Sequence, residues 1–156
     1  MGFHKVSYKG KSATLLSWTT DMGCWSFSIP AGESCPGAVY KQSVTGRKAI
    51  CRGCYAQIGR YSMPNVLNAQ WIRYMWLKEN LATPVGRDLI VETFVRNIKL
   101  FAKQGYFRWF DSGDIFTPEF GHVIADIAEL TPEVKYWIPT RSYHLEGDDW
   151  KQMWHR

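Results

Sequence analysis

Cys35, Cys51 and Cys54 stand in the spacing C-x15-C-x2-C, and cysteine thiolates are the ligands that zinc and iron-sulfur sites share. The C-x2-C arm lets two sulfurs reach one metal or cluster without straining the loop. A four-cysteine zinc ribbon carries two such arms and this chain has one, so three protein ligands leave one metal position open. An open position is what a site needs to bind a small molecule instead of merely stapling a loop. Buried free thiols are the competing reading, but Gly32, Gly37, Gly46, Gly53 and Gly59 around the cysteines are unlike ordinary core. Cys24 lies at the start of a short aromatic run read as a strand, which at about 3.3 Å per residue places it roughly 16 Å from that strand's carboxyl end. It is read as a core thiol. Arg47, Lys48, Arg52 and Arg60 either offset thiolate charge or serve solubility.

Two further segments carry polar chemistry. Asp111-Ser112-Gly113-Asp114 offers carboxylates that suit a cation, a ribose or a proton transfer, or a turn in which Asp oxygens cap backbone N-H groups. Ser112 and Asp114 are the candidate cofactor-binding residues there. Arg141, within Thr140-Arg141-Ser142, has the planar fork that suits a carboxylate or phosphate. An ion pair with Asp111 or Asp114 is its competing role. Tyr55, next to Cys54, covers the cluster, stacks on a base or adenine ring, or packs in the core. His4 and His155 lie near the termini, and His122 and His144 read as structural or surface imidazoles. The sequence alone supports no Ser/His/Asp order or Cys/His dyad, so no residue is assigned to catalysis.

The elements that must position these groups follow from periodicity and punctuation. Residues 13–18 and 24–29 read as strands joined by a turn, and residues 30–63 form an irregular cysteine-rich, metal-binding loop. A helix starts after Pro64 and stops near Leu81, with Leu67, Trp71, Ile72, Tyr74, Met75 and Trp76 as its apolar face. Thr83-Pro84 and Thr117-Pro118 each read as a helix N-cap followed by Pro at the first helical position. Ile90, Phe94, Ile98 and Phe101 make one buried face; Phe120, Val123, Ile124, Ile127 and Ala128 make the other. Strands are expected at 106–110 and 135–139, and a last amphipathic piece at 148–155. Strands alternating with helices predict an α/β fold, a partial (βα) barrel-like, mostly parallel sheet forming a single domain over residues 1–156. Chemistry in such folds gathers at the carboxyl ends of the strands. AGESCPG, DSGD and TRS each follow a predicted strand, so they are expected to share one pocket. Three or four strands leave an edge unpaired, which predicts self-association or docking on a host or phage protein.

Composition narrows the classes. Hydrophobic residues at 46% and charged residues at 21% are ordinary for a globular chain and exclude a disordered or collagenous one. Aromatics at 15% require a core or pocket built largely from rings. No run of about eighteen apolar residues exists, which argues against a membrane span. The first twelve residues lack the apolar stretch of a secretory signal, so a cytoplasmic location is expected, where thiols and metal sites prevail over disulfides. The net charge of +5 is spread without a run; it reads as a solvated basic surface before it reads as a grip on nucleic acid. The dinucleotide fingerprint is absent, and Ala38 stands where a phosphate loop requires Lys.

The strings CPGA at 35–38, C-x2-CYA at 51–56, GRY at 59–61, SGD at 112–114, TRS at 140–142 and YH at 143–144 resemble the phage gene product 88 family. That family is similar in turn to phage proteins related to radical S-adenosylmethionine enzymes. The resemblance spans about residues 24–145. It implies an iron-sulfur cluster of the 4Fe-4S type on a barrel-like βα fold, in the cytoplasm of an infected bacterium, with S-adenosylmethionine as a further expected ligand. The usual radical-enzyme motif is C-x3-C-x2-C; here the first gap is fifteen residues. The expected function is therefore a cysteine-ligated iron-sulfur metalloprotein with a small molecule at an open iron, either a radical S-adenosylmethionine-like enzyme or a degenerate relative. A zinc-stapled module that binds nucleic acid or a host protein is the alternative.

Overall fold

The computed structural model describes residues 4–38 and 50–155. Its centre is an open four-stranded sheet in the order β3 (Ser17–Thr19), β4 (Cys24–Phe27), β5 (Tyr106–Trp109) and β6 (Lys135–Trp137). β3 pairs antiparallel with β4, whereas β4 with β5 and β5 with β6 are parallel. The sheet is thus mixed and, among the described residues, does not close into a barrel. The barrel-like expectation reduces to a small α/β sheet with mostly parallel pairing.

Alternation along the strands sorts the side chains. Phe27 on β4 and Trp109 on β5 point to the face covered by α2 (Pro84–Phe101) and α3 (Pro118–Glu129), where each meets Phe94 and Phe120. Ring centroids there lie 4.9–6.4 Å apart, the range in which edge and tilted contacts add to simple burial. Arg108 lies on the opposite face, against the ring of Trp137.

Both helix starts work as local chemistry dictates. Thr83 Oγ1 accepts from Gly86 N and Thr117 Oγ1 from Phe120 N, with Pro at the first helical position in each case. Ile90, Phe94, Ile98, Phe120, Val123, Ile124 and Ile127 are buried, as the spacing predicts. A short helix α4 (Asp148–Trp154) packs on α3 and inserts Trp150 and Met153.

Two elements depart from expectation. Residues 13–18 do not form one strand: β2 (Lys11–Thr14) pairs with β1 (Lys5–Tyr8) in a separate hairpin, and the chain bends at the buried Leu15 and Leu16 before β3. The hairpin carries only Val6 and Ala13 as buried apolar residues, too few to register as an alternating pattern. Its turn uses Lys9 and Gly10, both at positive φ. Helix α1 (Pro64–Leu81) has the expected bounds but a rotated face. It buries Gln70 and Arg73 with Ile72, Tyr74, Trp76 and Leu77, and leaves Trp71 partly exposed. Arg73 is tolerated because Thr14 O, Ser28 O, Ser28 Oγ and Ser17 Oγ all accept from its guanidinium, at 2.7–3.2 Å. Burial lowers its pKa from the arginine norm to about 10. One side chain thereby ties β2, β3 and the end of β4 to the helix.

Candidate functional site

The carboxyl ends of β4 and β5 are joined beyond the strands. Asp111 N donates to Phe27 O at 3.3 Å and Ile29 N to Ser112 O at 3.0 Å, so the DSGD turn runs alongside residues 28–30. The approach leaves no room for a side chain at residue 113. A Cβ on Gly113 would lie 2.5 Å from Ile29 Cγ1 and 2.6 Å from Ser34 Oγ, and its φ is +91°. Phe110, just before this turn, is also left-handed at φ +56° although buried. Such a conformation costs a non-glycine residue about 1–3 kcal/mol and persists only where surrounding packing enforces it.

The cysteine segments fold onto the same edge. Ser34 N and Ser34 Oγ donate to Pro30 O, and Cys35 N to Gly32 O, forming a tight turn after β4. Ile50 N and Cys51 N then both donate to Gly37 O, and Ala38 and Cys51 form an isolated parallel bridge. This bridge brings the far end of the fifteen-residue gap back beside Cys35. A 3-10 turn over Tyr55–Gln57 follows Cys54, and Tyr55 anchors it: its hydroxyl donates to Asp111 O at 3.0 Å and accepts from Arg108 Nη2 at 3.2 Å.

The result is a cavity of about 370 Å3 whose wall includes Cys35, Cys51, Cys54, Tyr55, Ser112, Asp114 and Arg141. The structure thus brings together all seven residues singled out from the sequence, and all three strand-end segments contribute. Cys24 lies elsewhere, buried at the amino end of β4. His144 stacks on Tyr143 at 4.1 Å. Arg47 and Lys48 fall outside the described residues, as does residues 39–49 of the cysteine-rich loop.

Burial acts on two titratable groups in this wall. Burial pushes the Cys35 thiol up to about 12; the Gly32 N-H, 3.3 Å from its sulfur, opposes this, while Asp114, Cys54 and Cys51 reinforce it. Burial also raises Asp114, against the donors that surround it. Its Oδ1 accepts from Ile115 N at 2.7 Å, Ser142 Oγ at 3.0 Å and the Thr140 hydroxyl, and its Oδ2 accepts from Arg141 N at 3.1 Å. Asp114 therefore holds the TRS turn through backbone and hydroxyl groups, not through an Arg141 ion pair. Asp111 pairs instead with Arg108, at 2.9 Å. Arg108 escaped the sequence reading because a lone charge in Tyr-Phe-Arg-Trp looks like a solvent-facing strand position. Its alternation out of phase with Phe107 and Trp109 was the available signal.

The donors suit a thiophilic metal by type: three thiols on one wall, with an N-H directed at one sulfur. As they stand, no three Cys, His, Asp or Glu side chains among the described residues are grouped to hold an ion. None of the described helices is long and apolar enough to cross a membrane. No curated protein and no solved structure matches the chain. A family model does match, over residues 4–154, and by that match the chain belongs to the Gene product 88 family of phage proteins.

Proposed function

We propose that the chain is an iron-sulfur metalloprotein in which Cys35, Cys51 and Cys54 hold a cluster of the 4Fe-4S type at the carboxyl edge of the sheet. The observation that supports it is the Ala38–Cys51 bridge: cysteines separated by fifteen residues line one cavity with the C-x2-C arm. Cluster loading would draw the thiols closer, and the segments carrying them are turns joined to the sheet edge by a few hydrogen bonds and, among the described residues, one isolated bridge, which suits that adjustment. Three ligands leave one iron open, where the cluster would supply Lewis-acidic or redox chemistry to a small molecule. S-adenosylmethionine is one such molecule, through the similarity to radical-type phage proteins.

The protein's own groups have definable tasks in this reading. Asp114 keeps the TRS turn against the cavity wall. Tyr55 keeps the C-x2-C arm against β5 through Asp111 and Arg108. Anaerobic purification followed by iron, sulfide and zinc analysis tests the reading. Iron with comparable sulfide, lost in Cys35→Ala, Cys51→Ala and Cys54→Ala but kept in Cys24→Ala, is the expected result. Zinc without sulfide would replace it with the zinc-stapled binding module, and loss of iron in Cys24→Ala would make the site four-cysteine and closed.

A further inference from the structure

The cavity carries positive charge that thiol ligation does not use. Arg52, on the C-x2-C arm, and Arg141, beyond β6, both line it while remaining exposed. Among the described residues neither guanidinium has an acidic partner. The two carboxylates in the wall are committed elsewhere, Asp111 to Arg108 and Asp114 to the TRS turn. Two guanidinium forks on one cavity suit a dianion that each can grip in bidentate fashion, which describes a phosphate better than a carboxylate.

The cavity also presents rings. Tyr55 and Tyr143 line it with 60% and 58% of their surface exposed. Tyr55 is fixed by its hydroxyl and by the edge of Tyr61, whereas Tyr143 contacts only His144 among the rings of the described residues. An exposed ring in a cavity that also carries basic side chains is how proteins hold a nucleobase without reading its edge. A volume of about 370 Å3 falls at the lower end of small-molecule sites, a size that suits one nucleotide.

We propose that this cavity binds a mononucleotide, its phosphate held by Arg52 and Arg141 and its base stacked on Tyr143. The inference rests on reading the cavity as the ligand site and names the ligand's class, but it does not depend on which metal the thiols hold. Calorimetric titration of the purified protein with adenosine monophosphate, adenosine and inorganic phosphate tests it, with iron and sulfide measured on the same preparations. Adenosine should bind at least about tenfold more weakly than the monophosphate, the factor expected for one charge-assisted contact. Arg141→Ala and Arg52→Ala should each weaken the monophosphate about tenfold and leave adenosine unchanged. Tyr143→Ala should weaken both nucleoside ligands and leave inorganic phosphate unchanged. Equal affinity for adenosine and its monophosphate overturns the proposal. So does an Arg141→Ala protein that loses iron while keeping its monophosphate affinity, because the guanidinium would then serve the cluster's charge. Monophosphate binding in protein that holds neither iron nor sulfide upholds this inference while removing the cluster reading.

Discussion

The face of the sheet beneath α2 and α3 and the edge at the strands' carboxyl ends are built on opposite principles. The covered face is a continuous set of rings, with Phe27, Phe94, Phe107, Trp109 and Phe120 all nearly inaccessible to water. The edge is made of turns whose thiols, hydroxyls and carboxylates are tied by local hydrogen bonds, an ion pair and an isolated bridge. Burial of large rings supplies stability without specifying chemistry, whereas the edge spends backbone strain at Phe110 and close approach at Gly113 to gather polar groups. The packed face and the polar edge are therefore largely separable, and substitutions on the two sides should behave differently.

The largest effect is expected in the ring layer. Phe94→Ala removes a side chain in contact with Phe27 at 4.9 Å and Trp109 at 5.0 Å, and should cost about 3–5 kcal/mol in chemical denaturation. A loss under about 1 kcal/mol would mean that stability resides elsewhere than in the rings. Gly113→Ala comes next, at about 2–4 kcal/mol, because it combines a left-handed backbone with a forced contact on Ile29 and Ser34. Its unfolding midpoint should fall while its ring layer keeps a native near-ultraviolet spectrum. Loss of that spectrum would show that the edge supports the core after all.

Asp114→Ala should cost less, about 1–3 kcal/mol, by leaving the donors of Ile115, Arg141 and Ser142 without their acceptor. Hydrogen exchange should quicken at Arg141 N and stay unchanged in α2; uniform quickening would contradict a local role. The smallest effect is one of reactivity. In metal-free protein the Cys35 thiol, pushed up to about 12 by burial from the ordinary 9.0, stays protonated near neutral pH. Iodoacetamide should spare it at about pH 8 and reach it as the pH approaches 12. Because the folded state holds this proton more tightly than the unfolded one, its contribution to stability is full below about pH 9 and is lost as pH rises through the folded value. Cys35 labelling near pH 8 at the unfolded-chain rate would place that turn in open solvent.

What the sequence by itself determined was local. The Thr83-Pro84 and Thr117-Pro118 starts, the bounds of α1 and the apolar spacing of α2 and α3 each depend on hydrogen bonds and side-chain neighbours within three or four residues, so a short window contains the whole signal. The cysteine, DSGD and TRS segments were legible for the same reason, as compact polar strings after predicted strands. Tertiary structure decided the rest. The β1–β2 hairpin exists because Val6 and Ala13 find a surface on α1, and the buried face of that helix includes Arg73 because carbonyls and hydroxyls from three strand ends converge on it. Asp114 took the backbone of Arg141 as its partner because parallel register places β5 and β6 side by side and fixes which donors lie within about 3 Å. Among the described residues, Cys51 is held at the cavity by its bridge to Ala38 and its hydrogen bond to Gly37 O. Each of these choices joins groups distant in the chain, and a pairing of that kind is set by sheet order, register and competition for burial, which no local stretch of residues contains.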